Sequence, residues 1–200
     1  MTEQDRIAEF GDLWRNYTDE DFDALIVGNT NLLKFLSKGF FTAPASTKYH
    51  GAYEGGLYDH SKNVFLRLKD LTEKNDLHWQ RPISPFIIGM FHDLCKCDQY
   101  KKVDKFTQVE LPDGTMSLAP LKTTAYEYNT NTLLKGHGSK SVMLLSQFMT
   151  LTEEEMLCIR YHMGAYEKEE WAEFDAAIKR YENVFWTHAA DMLASKIDEE

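Results

Sequence analysis

Six histidine and aspartate side chains in this 200-residue chain are of the kinds that hold divalent metal ions. They are His60 in "GGLYDH", His92 and Asp93 in "FHDLCK", His137 in "KGHGSKS", His162 in "RYHMG" and Asp191 in "HAADMLA". Each stands where an apolar residue would otherwise be expected. His60 shares a helical stripe with Leu57 and Val64. His92 and Asp93 sit among Phe86, Ile87, Ile88, Met90, Phe91 and Leu94, a stretch with almost no polar face and therefore a buried one. His162 follows Ile159 by three residues, and Asp191 follows Val184 by seven and His188 by three. His137 stands between two glycines at a helix start. An unpaired buried carboxylate is costly or takes up a proton. Taken alone, His92 and Asp93 read equally well as a hydrogen-bonded core pair or as metal ligands. Five separate elements, each supplying an inward imidazole or carboxylate, favour one metal site. That donor mixture suits divalent Mn, Fe, Co, Ni or Zn, with Mg also admissible.

A second set of residues could meet an anion. Lys96 lies three residues after Asp93, on the same helix face. Ser139, Lys140 and Ser141 follow His137 at a helix N-terminus, which favours anions. Arg160 stands two residues before His162. The loop ahead of His60 offers donors in Ser46, Thr47, Lys48 and His50 and a stacking ring in Tyr53, and Gly55 and Gly56 allow close backbone approach. The charged residues read equally as solvated surface, and the loop as packed structure with Phe40 and Phe41 filling core. His188 fits a partner that orients a ligand. His78, beside Trp79, reads as a surface or packing residue. Cys95, Cys97 and Cys158 read as small buried thiols.

These side chains need helices to carry them. Apolar periodicity and caps predict helices over 4–16, 19–38, 57–74, 85–97, 138–149, 153–167 and 175–197. Ser84 and Pro85 form an N-cap and a first-turn proline, and Thr152 with Glu155 forms a capping box. Residues 39–56 read as a loop. Residues 103–119 alternate and turn at Pro112-Asp113-Gly114, a hairpin signal. The hairpin follows the His–Asp helix directly, so it is expected to form a rim or lid over the site. The expected organisation is one domain over 1–200, with N-terminal helices in 1–37 and a hairpin insertion at 103–119. Hydrophobic residues make up 43% of the chain and the net charge is −10. Proteins that grip long nucleic acid show basic stripes, which this chain lacks. A small phosphorylated substrate remains compatible, because bound cations reverse the local field. No apolar run reaches membrane length and no signal-peptide pattern opens the chain. Three cysteines are too few for a disulfide framework. The expected location is the cytoplasm, and nothing in the sequence sets an oligomeric state.

The order His…His-Asp…His…His…Asp, carried by the five quoted motifs, resembles the HD-domain metal-dependent phosphohydrolase superfamily over about residues 38–198. It is most similar to the branch that includes the HD domain of bacterial 3′–5′ exoribonucleases. Small stand-alone HD proteins of bacteria and phages also carry a segment similar to "APASTKYHGAYEGGLYDHS". The resemblance implies an all-α fold, a helical bundle with a central metal site, here with a small β-hairpin insertion. It implies that His60, His92, Asp93 and Asp191 hold one ion, and that Asp93 bridges to a second held by His137 and His162. Two such ions share a hydroxide, lower its pKa and clamp a phosphoryl oxygen. Asp93, His92 and Lys96 are then expected to carry the chemistry. Lys48, His50, Tyr53, Lys96, Ser139, Lys140 and Arg160 are expected to contact the substrate. The expected function is hydrolysis of a phosphoester of a small nucleotide or related metabolite by a metal-activated hydroxide. Two alternatives are a phosphodiesterase on cyclic nucleotides or short oligonucleotides, and a non-catalytic, metal-stabilised ligand-binding scaffold.

Overall fold

Thr2 and Asp5 start the first helix by exchanging side-chain bonds to each other's backbone N–H, a capping box that opens α1 (Glu3–Tyr17). The computed structural model describes residues 1–18, 29–112, 115–165 and 168–198. α1 docks through Arg6, whose buried guanidinium donates to both oxygens of Asp59 at 3.0 and 2.8 Å. One turn further on, the Phe10 ring meets Trp14, Phe40, Phe41, Tyr58 and Phe91 at centroid distances of 5.5–6.5 Å. Phe40 and Phe41 therefore belong to the core. Of the helix expected over 19–38, α2 (Asn29–Leu36) is described, and residues 19–28 lie outside the described residues.

α3 (Gly56–Asn75) buries Leu57, Tyr58, Val64, Phe65 and Leu68 on one face, with His60 on the same face. It packs against α4 (Ser84–Phe91), which is buried on every side. The His–Asp helix is shorter than the sequence predicts. Ser84 is already helical and does not cap; its hydroxyl donates to Glu155 at 2.8 Å, while Pro85 takes the first turn as expected. The last α-helical bond runs from the His92 N–H to the Ile88 carbonyl, and Asp93 then leaves helical geometry at φ −107°, ψ 20°. A 3₁₀ turn over Leu94–Cys97 follows. His92 and Asp93 thus occupy a helix end, where neighbouring side chains can fan apart, rather than a helix interior.

The hairpin is longer than 103–119. Strand β1 (Tyr100–Glu110) pairs antiparallel with β2 (Met116–Tyr128), with Tyr100 opposite Tyr128 and Glu110 opposite Met116. The segment after Pro120 is rich in threonine and tyrosine, which suit strands, so pairing continues past the proline. The register slips between Asp104 and Phe106. Of the expected turn, Asp113 and Gly114 lie outside the described residues.

α5 (Gly138–Leu145) and α6 (Glu153–Arg160) stop short of their expected ends at 149 and 167, and His162 falls in the turn after α6. The Thr152–Glu155 capping box is present, and the buried Glu155 carboxylate also pairs with Arg81. The helix expected over 175–197 is two helices, α7 (Trp171–Arg180) and α8 (Asn183–Leu193), followed by a π-turn over Ala194–Asp198. The break comes at Tyr181, which is extended at φ −137° and ψ 100°. The Asn183 amide holds the new helix by donating to the His78 carbonyl (2.7 Å) and to Glu154 (2.8 Å). The fold is mostly helical with one small antiparallel ribbon, and its buried apolar residues form one core. Among the described residues, no helix is long and apolar enough to cross a membrane.

Candidate metal centre

Two glycines bring the six side chains together. At Gly89, a β-carbon would lie 2.4 Å from the Cα of Phe65. Only glycine lets α4 approach α3 that closely, and this sets His92 against His60. At Gly138, a β-carbon would lie 2.3 Å from the Arg160 carbonyl oxygen. That contact seats the start of α5 on the end of α6 and sets His137 beside His162. α8 packs on both α3 and α6 and brings in Asp191.

All four imidazoles present Nε2 to the Asp93 carboxylate. His92 Nδ1 bonds the Gly89 carbonyl (2.9 Å) and His162 Nδ1 bonds the Ile159 carbonyl (2.7 Å). A carbonyl accepts only, so in both rings Nδ1 carries the proton and Nε2 keeps its lone pair for a ligand. Asp93 divides the group. Its Oδ2 lies 3.6 Å from His60 Nε2 and 3.4 Å from His92 Nε2. Its Oδ1 lies 3.0 Å from His137 Nε2 and 3.4 Å from His162 Nε2. Asp191 Oδ1 stands 3.1 Å from His60 Nε2 and 4.0 Å from His92 Nε2.

The donor set fits a divalent ion on this structure's own evidence. Asp93 Oδ1, His137 Nε2 and His162 Nε2 are buried and none makes a well-directed hydrogen bond, although Oδ1 and His137 Nε2 lie 3.0 Å apart. Buried polar atoms are normally satisfied, so these three converging donors need an acceptor of their electron pairs. His60, His92 and Asp191 form one cluster of ligand atoms, His92, Asp93 and His162 a second, and Asp93, Cys95 and His137 a third. The buried His/Asp groups can therefore hold metal ions.

The electrostatics agree. Burial works to raise Asp93, but the Lys96 ammonium above all, with the imidazoles of His92 and His137 beside it, outweighs burial and holds the carboxyl well below its ordinary value. Burial is likewise overcome at Asp191, chiefly by the hydrogen bond and charge of His60. Burial lowers His92, which keeps the imidazole neutral. The Lys96 ammonium sits 2.5 Å from Asp93 Oδ2. Burial works against its charge, yet Asp93 raises it above the ordinary lysine value. Cys95 Sγ lies 3.2 Å from His137 Nδ1, and burial pushes the thiol up to about 12.

A cavity of about 660 Å³ opens over the centre. His137 and Asp191 reach its wall, while His60, His92, Asp93 and His162 lie behind them. Of the residues expected to contact substrate, His50, Lys96, Ser139 and Arg160 line it. Three are not brought there. Lys48 is exposed and does not line the cavity. Tyr53 donates to Asp59 Oδ2 at 3.0 Å and so belongs to the Arg6 anchor. Lys140 is buried and paired with Asp98, because its position in the first turn of α5 faces the 3₁₀ segment. His188 acts as expected of a supporting group: its Nδ1 bonds the His162 carbonyl at 2.7 Å and fixes the turn that carries that ring.

Tyr100, Tyr128, Gln99 and Lys196 also line the cavity, and the sequence reading missed them. The tyrosines become visible once β2 is extended to 128, because the register then pairs them across the ribbon. Lys196 lies in the π-turn that follows α8, which the sequence reads as continuous α-helix. Among its described residues the distal ribbon, residues 103–119, contributes nothing to the lining, and of the expected rim or lid the ribbon's root is what reaches the cavity. Comparison with protein families, with curated proteins and with solved structures finds no match to this chain.

Proposed function

We propose that this chain is a metal-dependent phosphohydrolase of the HD-domain kind that cleaves a phosphoester of a small nucleotide or related metabolite. The observation that carries the reading is the division of Asp93. One carboxylate oxygen faces His60 and His92, and the other faces His137 and His162. A bridging carboxylate needs that division. His60, His92, Asp93 and Asp191 would hold one ion, and Asp93, His137 and His162 a second. Nitrogen and oxygen donors of this mix suit Mn, Fe, Co, Ni or Zn. When bound, such a pair supplies Lewis acidity and lowers the pKa of water near it.

The chain's own groups then have separate tasks. Lys96, fixed by Asp93 and lining the cavity, places a permanent positive charge at the floor. Lys196 presents further positive charge along the wall, Arg160 adds a guanidinium that is also paired with Glu173 at 3.1 Å, and the Ser139 hydroxyl adds a donor beside His137. Together they bind and orient a phosphate against a chain whose net charge is −10. The backbone bonds at His92 and His162 hold the rings in the ligand tautomer before any ion arrives.

The test pairs elemental analysis with turnover. Protein purified without chelator is expected to carry about two transition-metal ions per chain and to hydrolyse a generic aryl phosphodiester. A chelator should abolish turnover, and added Mn or Co should restore it. Two ions without turnover against aryl phosphodiesters, aryl phosphomonoesters or nucleotides would leave a metal-stabilised scaffold and remove the hydrolase. No more than one ion under metal-replete conditions would remove the dinuclear assignment.

A further inference from the structure

We propose that the root of the β-ribbon is a ring-binding wall, on which Tyr100 and Tyr128 receive the planar base of a nucleotide whose phosphate lies at the His137–Asp191 floor. The identity of the phosphate end rests on the hydrolase reading above, whereas the ring wall rests on separate observations.

The two tyrosines face each other across the open end of the ribbon, with ring centroids 5.3 Å apart and planes at 60°. Both line the cavity. A tyrosine pair that served only to close the ribbon would be expected to bury its rings. Tyr128 keeps 62% of its surface exposed, so much of the ring is free for a further contact. The open end of a hairpin ordinarily frays, but here it is clamped. The Asn129 N–H donates to the Gln99 carbonyl at 2.8 Å, and its side-chain amide donates to the Asp98 carbonyl at 2.9 Å. Through the buried 3₁₀ turn Leu94–Cys97, this clamp connects directly to Asp93. The rings are therefore held in a fixed relation to the candidate metal centre, as preorganised recognition requires.

The cavity's lining combines cationic and metal-binding groups in His137, Lys96, Arg160 and Lys196, together with the carboxylate of Glu170, with the aromatic pair. A volume of about 660 Å³ suits a mononucleotide-sized ligand. Every base has a π-face, so stacking of this kind tolerates any base. The inferred site accordingly distinguishes a nucleotide from a sugar phosphate more strongly than one base from another.

Isothermal calorimetry on metal-loaded protein tests this, with adenosine, guanosine, cytidine and uridine 5′-monophosphates set against ribose 5-phosphate. The nucleotides are expected to bind about tenfold tighter than ribose 5-phosphate. Tyr128→Ala should bring that ratio close to one, and Tyr128→Phe should preserve it. Tyr128→Leu keeps apolar bulk without a π-face and should also lose the ratio, which secures the test should the alanine variant loosen the ribbon. Metal content, measured on every sample, should not change. Equal binding of nucleotides and ribose 5-phosphate by the unaltered protein would overturn the inference, and so would a ratio that survives both Tyr128→Ala and Tyr128→Leu. Turnover of aryl phosphodiesters, aryl phosphomonoesters and nucleotides on the same samples separates the two readings. Turnover with no Tyr128-dependent ratio removes the ring wall alone, whereas a Tyr128-dependent ratio without turnover keeps the ring wall and removes the hydrolase.

Discussion

Asp93 is legible in sequence as a charge in an oily stretch, and its surroundings explain how it stays charged. Lys96, His92 and His137 together outweigh the cost of burial. Removing the carboxylate as Asp93→Ala should cost both proposed ions their shared ligand, so metal content should fall and turnover should drop to background. The apolar core is untouched by the change, and far-UV circular dichroism should show the helices intact. Substantial turnover in this variant would sink the bridging role. His137→Ala and His162→Ala should each take metal content from about two ions towards one, measured by elemental analysis. The contact between Cys95 and His137 was not legible, because it depends on how α5 meets the 3₁₀ turn. If that contact orients the His137 ring, Cys95→Ala should weaken metal retention about tenfold, the lower range for a group that supports a ligand. Competition against a chromophoric chelator would read this, and unchanged retention would reduce Cys95 to packing.

At the scale of elements, the helices that carry ligands could be found by periodicity, but their ends could not. Periodicity predicts His162 inside a helix over 153–167, whereas it lies in the turn beyond Arg160. Gly89 and Gly138 explain how the ligand pairs meet, yet a glycine's meaning depends on which backbone approaches it, and that is tertiary information. The buried Glu155 makes a second cross-element device: it caps α6, takes the Ser84 hydroxyl from α4 and pairs with Arg81. Arg81→Ala would leave that carboxylate without its cation. Breaking a buried pair from one side costs about 3–5 kcal/mol, so urea denaturation should show a loss of that order. Arg81→Ala with stability within about 0.5 kcal/mol of the parent, the range of an ordinary surface change, would show that Ser84 and the helix N-terminus satisfy Glu155 alone. The ribbon allows a cleaner separation. Among its described residues only the root reaches the cavity, whereas Phe106, Met116 and Leu118 further out are exposed. Replacing residues 107–117 with a short Gly-Ser turn should leave metal content and aryl phosphodiester turnover unchanged. A changed substrate profile would return the outer ribbon to the site.

The whole molecule combines a net charge of −10 with a buried cluster of imidazoles and carboxylates, and within that cluster His92 and the two aspartates respond to acid in the same direction. Composition made the acidic balance legible; the response to pH requires the burial of particular groups. His92 is lowered from its ordinary 6.5 by burial, so between that value and its folded pKa the unfolded chain takes up a proton that the folded chain refuses. Its contribution to stability is therefore complete above 6.5 and is lost as pH falls below it. Asp93 and Asp191 are held below their ordinary 3.8, despite burial, by Lys96 and the histidines around them. Their contribution is complete above 3.8 and is lost as pH falls through the folded values. No two of these groups oppose each other, so chelator-treated protein should lose stability in two successive windows, the first beginning near pH 6.5 and the second below about pH 4. Metal binding requires neutral imidazole and ionised carboxylate, so proton uptake competes with it. Metal-loaded protein should therefore be the more stable form at neutral pH, and its advantage should narrow as pH falls through the first window. Urea midpoints of both forms between pH 7.5 and 4.5 would check this. A midpoint of the chelator-treated form that rises on acidification would contradict the burial of a neutral His92. An advantage of the metal-loaded form that does not narrow would show that the ions are held by something other than this cluster.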